Sequence, residues 1–305
     1  MTRAGGTDDD VPCDVTVVGE ALVDVVTTAS GVRRRPGGSP LNVAVGLARL
    51  GWPTCLVAEV GDDPDGTQIR AHLAESGVSE ASLLTVPRTS TATATIGAGG
   101  SAAYEFDVTW SLRSGLRVSG RLVHTGSIAA VLAPGADRVA ELVLHRPPGV
   151  LASVDPNIRP EMIPDRAAAV DRIGRLIAAA DIVKLSDEDA SWLYPGESPE
   201  SVEQRILGAG VALVATTRGP LGACLRTAGA RIEVPAMAES VVDTIGAGDA
   251  FMSGLLAGVL TRGLPGGGVD EAARLREIGE LAAACAAVVV ARQGADPPWA
   301  HELRR

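Results

Sequence analysis

VDTIGAGDAFMSG, spanning Val242–Gly254, sets two glycines around an alanine, follows them with an aspartate, and then runs small and apolar to Leu260. Gly246 and Gly248 let the backbone turn tightly and aim successive N–H groups in one direction. The apolar run reads as a helix, so those groups stand at a helix N-terminus, where an anion is stabilised. Asp249 would repel that anion unless it takes a proton from a group attacking it, which is how a phosphoryl-transfer site is wired. The plain alternative is a helix cap, with Asp249 accepting backbone N–H bonds. Two familiar phosphate loops do not fit. A P-loop needs Lys then Ser or Thr where Asp249 and Ala250 stand. A dinucleotide fingerprint needs a small residue where Phe251 stands.

Upstream, Asp14–Gly19 is a β-branched run that reads as a buried strand, and it leads to Asp24, at the edge where α/β sheets place ligand contacts. Gly37-Gly-Ser39-Pro40-Leu-Asn42 then reads as a glycine pair, an N-cap and a helix start, with the helix ending at Gly51. The Asn42 amide can both donate and accept, which suits hydroxyl groups. Arg33–Arg35 read as a solvated loop. Thr91–Ile96 and Ala103–Val108 alternate strictly and form a half-exposed hairpin, with Tyr104, Phe106 and Trp110 gathered near it. Elsewhere strand and helix signals alternate: strands at Thr54–Val60, Leu122–Gly126, Val150–Val154, Ile182–Leu185 and Val211–Thr217, each followed by a helix or a glycine turn. Repeated βα units with short links predict a mostly parallel sheet covered by helices on both faces.

The 305 residues suffice for one large α/β domain, and 46% are hydrophobic but only 3% aromatic, so the core must be built from aliphatic side chains. A net charge of −10 argues against nucleic acid as a partner. No stretch is long enough to span a bilayer. Residues 1–12 read as a disordered tail and 13–305 as a single domain. Cys13, Cys55, Cys224 and Cys285 lie far apart and read as free core thiols of a cytoplasmic protein. No histidine cluster marks a metal site, and His124 reads as a satisfied core residue.

GGSPLNVAVGLARLG at Gly37–Gly51 and DTIGAGDAF at Asp243–Phe251 resemble the two signatures of the ribokinase family, the PfkB-type carbohydrate kinases. The resemblance runs from about Val15 to Pro298. It implies a three-layer αβα domain with a small β-sheet lid, formed from about 24–35 and 88–112, which could also carry a homodimer contact. It implies ATP, Mg²⁺ and in many members K⁺, with a sugar hydroxyl as nucleophile. Asp249 matches the catalytic base, and Gly246, Ala247 and Gly248 the anion hole. Asp24, Gly38, Asn42, Phe106 and Arg159 match sugar positions. Lys184, Thr217, Gly219, Gly222 and Gly248 match nucleotide positions, and Asp243, Thr244 and Gly294 a monovalent-cation site. One motif departs: where the family often has Asn-x-x-Glu to organise Mg²⁺, Ser186 and Asp189 stand, leaving Asp189 or Glu188 to act through water. His124-Thr-Gly-Ser127, Asp155-Pro-Asn157-Ile-Arg159 and Lys184-Leu-Ser-Asp-Glu188 look like the fructokinase branch, with fructose as the implied sugar. A 2-keto-3-deoxygluconate kinase, a ribokinase, or a non-catalytic sugar or nucleotide sensor on the same scaffold are the other readings. An NAD-type oxidoreductase lacks its fingerprint at Gly19–Leu22.

Overall fold

The computed structural model describes residues 13–28, 31–96, 102–268 and 270–303. The tail expected over residues 1–12 and the hairpin turn at 97–101 lie outside them. The chain opens with β1 (Val15–Val18), a hairpin of β2 (Leu22–Thr28) and β3 (Gly31–Gly37), then α1 (Ser39–Arg49) and β4 (Thr54–Gly61). It continues with α2 (Pro64–Glu75), the short strands β5 (Val78–Ser79) and β6 (Leu83–Val86), and a second hairpin of β7 (Ser90–Ile96) and β8 (Ala102–Asp107). Next come β9 (Leu122–Gly126), α3 (Gly135–Leu144), β10 (Leu151–Asp155), α4 (Arg166–Ala179), β11 (Ile182–Ser186), α5 (Asp187–Leu193) and α6 (Pro199–Gly208). The chain ends with β12 (Leu213–Thr217), β13 (Ala223–Arg226), β14 (Arg231–Val234), α7 (Ala247–Arg262) and α8 (Glu271–Val290).

The central sheet has the order β14-β13-β12-β11-β10-β9-β1-β4-β5, with β6 also on β4. It is parallel up to β12; β13 then pairs antiparallel with β12, and β14 antiparallel with β13. Side chains alternate across a strand, so Val17 and Leu56 face a core shared with α1, α2, α7 and α8. Val18 and Val57 face a second core shared with α3, α4, α5 and α6. These are the three layers that the βα rhythm predicts.

A second sheet stands apart, in the order β3-β2-β7-β8. Residues 20–35 depart from the sequence reading: Arg33–Arg35 are exposed, but in a strand rather than a loop. Leu22–Thr28, with its β-branched run Val25–Thr28, pairs with Gly31–Gly37 at seven positions and sets the arginines opposite Asp24, Val25 and Val26, which a scan for buried strands does not detect. Two of the chain crossings between the sheets, β6 to β7 and β8 to β9, are pinned by acids of the central sheet's rim. Asp63 accepts from the Thr89 N–H at 2.8 Å and the Thr89 hydroxyl at 2.7 Å. Glu59, buried in β4, accepts from the Ser111 hydroxyl at 2.6 Å and the Leu112 N–H at 2.9 Å. Trp110 belongs to the core rather than to the hairpin: it is 3% exposed and covers Gly135.

The thiol expectation is corrected at one pair. Cys13 and Cys55 form a disulfide, with Cα atoms 5.8 Å apart. The parallel register of β1 and β4 brings them together, which a separation of 42 residues does not announce. Cys224 and Cys285 are free and buried.

Candidate active site

The parallel strands end their C-terminal tips along one edge, and α7 begins there. Its N-cap is Gly246, left-handed at φ 78°, and no side chain caps the helix. A Cβ on Gly246 would lie 2.4 Å from the Ala295 Cβ, so both the turn and the packing require glycine. Ala247 N donates to the Thr244 carbonyl at 3.2 Å, and the N–H groups of Gly248 and Asp249 remain available for an anion. Behind Gly248 stands a charge: the Lys184 Nζ lies 3.0 Å from where a Cβ would be. Lys184 is 3% exposed and donates to Asp155 Oδ2 at 3.0 Å. Burial works against its charge, but Asp155, Asp189 and Asp249 outweigh that and hold the ammonium above the ordinary lysine range.

Asp249, in the first turn of α7, is buried and held by three side chains. Ser39 donates to Oδ1 at 2.7 Å, Asn42 to Oδ2 at 2.8 Å, and Asn157 to Oδ1 at 3.4 Å. Asp249 thus accepts from side chains brought in from elsewhere in the chain, and the capping alternative loses its main support. Ser39 is not the N-cap of α1; that position is Gly38, and the Ser39 hydroxyl is spent on Asp249 instead. Asn42, expected at the sugar, orients Asp249 through its amide nitrogen and leaves its amide oxygen to accept. Gly38 has φ 103°, and a Cβ there would meet the Glu20 carbonyl oxygen at 2.7 Å. Asn157 and Ser127, at the tips of β10 and β9, both take positive φ, a local strain that tertiary contacts must hold.

The second sheet brings further groups in. Arg35, Asp24, Ala92 and Phe106 pair in register across β3, β2, β7 and β8 and so share one face. Asp24 packs on Gly37, where a Cβ would lie 2.1 Å from its carboxylate. Burial, then the charge of Asp249, push Asp24 up to about 6, while Arg159 pulls the other way. Burial likewise pushes Glu20 up to about 7. Arg159 folds back on the Asn157 carbonyl and amide oxygens.

The remaining expected residues sort by contact. Asp243 accepts from Ile245 N and Gly294 N, at 3.1 and 2.9 Å, and the Thr244 carbonyl accepts from Ala247 N, so 243–244 and 294 do meet beside the anion loop. Thr217 ends β12 beside Ser186, and Gly219 and Gly222 turn the chain at φ 52° and 84°. Among the described residues, five of the eight exposed large hydrophobics, Leu221, Met237, Val241, Val242 and Ile245, lie from this turn to the start of the anion loop. Asp189 is committed elsewhere: Oδ1 accepts from Ile158 N, and Oδ2 from the Ser186 N–H and hydroxyl. Glu188 is exposed. No cluster of three or more acidic, His or Cys side chains stands ready for a metal among the described residues. Two buried carboxylate oxygens have no partner among the described residues, Glu20 Oε1 and Asp155 Oδ1, and Asp155 is the one beside Lys184. His124, expected to be satisfied, is so on one side only: Nδ1 lies 2.9 Å from the Ser153 hydroxyl and Nε2 has no partner.

The pfkB family carbohydrate kinase model matches residues 12–302. The chain belongs to that family. It is a sugar kinase, a phosphotransferase with an alcohol acceptor. It is 33% identical over 303 residues to a fructokinase of Klebsiella pneumoniae, covering 95% of this chain and 97% of that one. A solved fructokinase of Vibrio cholerae O395, bound to fructose, ADP and calcium, superposes with a TM-score of 0.80 at 28% identity, over 94% of this chain and 95% of that one. A fructokinase of Xylella fastidiosa with bound ATP gives 0.79 at 26% identity, over 92% of this chain and 94% of that one. These relations support ATP and a metal ion as what the kinase works with.

Four contributors escaped assignment from sequence: Ser39, Asn157, Asp155 and Glu20. Ser39 was hidden by its fitness as a cap, and Glu20 by the buried strand it follows. The DPN cluster at the tip of β10 was the visible signal for the other two.

Proposed function

We propose that this protein is a fructokinase that transfers the γ-phosphoryl group of ATP to a hydroxyl of fructose. The observation that carries the reading is the Asp249 carboxylate, buried at the N-terminus of α7 and oriented by Ser39, Asn42 and Asn157. Asp249 takes the proton of the attacking hydroxyl. The N–H groups of Gly248 and Asp249 at the turn, backed by the Lys184 ammonium, hold the charge on the transferring phosphoryl. Lys184 therefore acts from beneath the loop rather than as a solvent-facing nucleotide contact. Asp24, with Phe106 on the same sheet face, receives the sugar, and Arg159 lies within electrostatic reach of Asp24. The exposed apolar residues Leu221 to Ile245 offer the adenine a surface beside Thr217, Gly219 and Gly222.

Mg²⁺ would supply charge neutralisation at the phosphates. It ordinarily keeps waters and takes only one or two protein carboxylates, so a site without a preformed cage fits it. Asp155, with a free buried oxygen, is better placed for that than Asp189, and Glu188 would reach it only through water. Asp243, Thr244 and Gly294 form the loop pair offered to K⁺. The second sheet acts as the lid over the sugar, and its open edge strands, with Val32 facing solvent, are the surface for a homodimer. We place the enzyme in the cytoplasm, where its ATP is available. No described helix is long and apolar enough to cross a membrane. Cell fractionation tests the placement.

A coupled ADP-release assay across fructose, ribose and 2-keto-3-deoxygluconate tests the substrate, with fructose expected to give the highest kcat/KM. Asp249→Asn should lower kcat by about 10²–10⁴-fold with sugar binding retained. Near-full turnover in that variant would remove Asp249 from the chemistry.

A further inference from the structure

A cavity of about 420 Å³ opens away from the catalytic edge. Its walls are the segment Arg113–Val118, which leads into the start of β9, and the last turns of α3 with Pro147, which lead into β10. It therefore lies at the N-terminal ends of those strands, the opposite side of the sheet from Asp249. The volume is within the range that holds a small metabolite.

The lining is basic in a chain that is acidic overall. Arg113, Arg117, Arg138 and His145 face Glu141 as the one acid. Arg138 and Glu141 satisfy each other, with Arg138 Nη1 at 3.0 and 2.8 Å from the two carboxylate oxygens. The His145 Nδ1 is 2.9 Å from the Glu141 carbonyl oxygen, which covers part of the negative end of α3 and leaves Nε2 for the cavity. Arg113 and Arg117 make no ion pair among the described residues. Their segment is anchored on both sides. Glu59 holds Ser111 and Leu112, and the Thr16 hydroxyl donates to the Ser119 carbonyl at 2.9 Å. The two guanidinium groups are thus carried on a fixed span, without a protein anion to meet them.

We propose that this cavity is a second ligand site, which binds a small phosphorylated metabolite of the sugar-phosphate class. The net excess of about two positive charges over Glu141 matches a phosphate monoester, which carries about −1.5 to −2 at neutral pH. Arginine forks suit its planar oxygen triads. Leu116, Leu142 and Pro147 supply an apolar wall for a carbon skeleton; no Phe, Tyr or Trp lines the cavity, and its one ring, His145, is tied to the Glu141 carbonyl. That composition favours a sugar phosphate over a nucleotide. Because Arg113–Val118 continues from the crossing that Glu59 pins, occupancy of the site grips the chain that returns from the second sheet.

The test uses fructose 6-phosphate as probe, titrated calorimetrically at constant ionic strength into the full chain, with fructose and a non-hydrolysable ATP analogue saturating the catalytic site. One equivalent is expected to bind to the wild type. The Arg113→Ser/Arg117→Ser double variant should bind at least about tenfold more weakly, as loss of a charge-assisted hydrogen bond implies. Its kcat at saturating substrates should stay within about twofold of wild type, since neither arginine touches the catalytic edge. Amide chemical shifts of the wild type, independent of any variant, should move at 113–118 and 138–147 and not at 243–250. No binding to the wild type, equal binding to the double variant, or shifts confined to 243–250 would each overturn the site. Tighter binding of ADP than of fructose 6-phosphate would overturn the ligand class.

Discussion

Asp24 has opposite consequences for folding and for binding. Its ordinary carboxylate value is 3.8, and burial with the Asp249 charge raises it to about 6 in the fold. Between those values the folded protein holds a proton that the unfolded chain has released, so stability falls as pH rises through the window. The ionised side chain costs the fold on the order of 3 kcal/mol once pH exceeds its folded value. Asp24→Asn should therefore raise Tm at pH 7.5 and leave it nearly unchanged at pH 4, while sugar binding weakens at pH 7.5 and differs little from wild type at pH 4. Calorimetric scans at the two pH values check the first part, and an unchanged Tm at pH 7.5 would mean that Asp24 is not held against its charge. If the carboxylate form receives the sugar, kcat/KM of the wild type should fall below about pH 6, with a flatter acid limb in the variant.

The position of Asp249 depends on how closely three helices approach. Residues Asp249–Leu260 of α7 are buried all round, as expected for a helix packed between α1, α8 and the sheet. Glycines make the approach achievable. A Cβ on Gly254 would lie 2.7 Å from the Ala282 Cα of α8, and one on Gly46 of α1 would lie 2.4 Å from the Ser253 hydroxyl of α7. Gly254→Ala meets backbone that cannot rotate away, so it should destabilise the protein by about 1–3 kcal/mol, the usual range for overpacking. Denaturant midpoints measure this. Gly46→Ala meets a hydroxyl instead, and its effect should fall on activity as well, because α1 carries Ser39 and Asn42 to Asp249. A Gly254→Ala protein as stable as wild type would show that α7 and α8 can separate without cost.

Across the whole molecule, two sheets must keep a set relation for the site to exist, since Asp249 lies on α7, packed on the central sheet, and Asp24 and Phe106 lie on the second sheet. The links are short and acid-pinned: Asp63 at Thr89, Glu59 at Ser111 and Leu112, and Arg34 paired with Asp65. Glu59→Gln keeps the shape but removes the charge from the buried bonds, each worth about 1.5–3 kcal/mol when charge-assisted. The expected outcome is faster hydrogen exchange at the Ser111 and Leu112 amides and a fructose KM raised about tenfold, with kcat at saturation little altered. Unchanged exchange at those two amides would show that the crossing is held by other contacts.

Much of this was legible before any fold was built. The βα rhythm, the GAGD turn and the GGSPLN helix start are local signals, because hydrophobic period, glycine conformation and helix polarity act within a few residues. They determined a parallel sheet covered by helices on both faces and pointed to Asp249, and the resemblance of the two motifs to the family signatures implied the kinase. What they could not show is which distant groups share a space. Ser39 caps well on paper but serves a carboxylate 210 positions away, Asp189 is consumed by Ser186 and Ile158, and Cys13 finds Cys55 only through the register of two strands. Strand order, helix approach and burial decided those, because each depends on contacts between segments that no local pattern encodes.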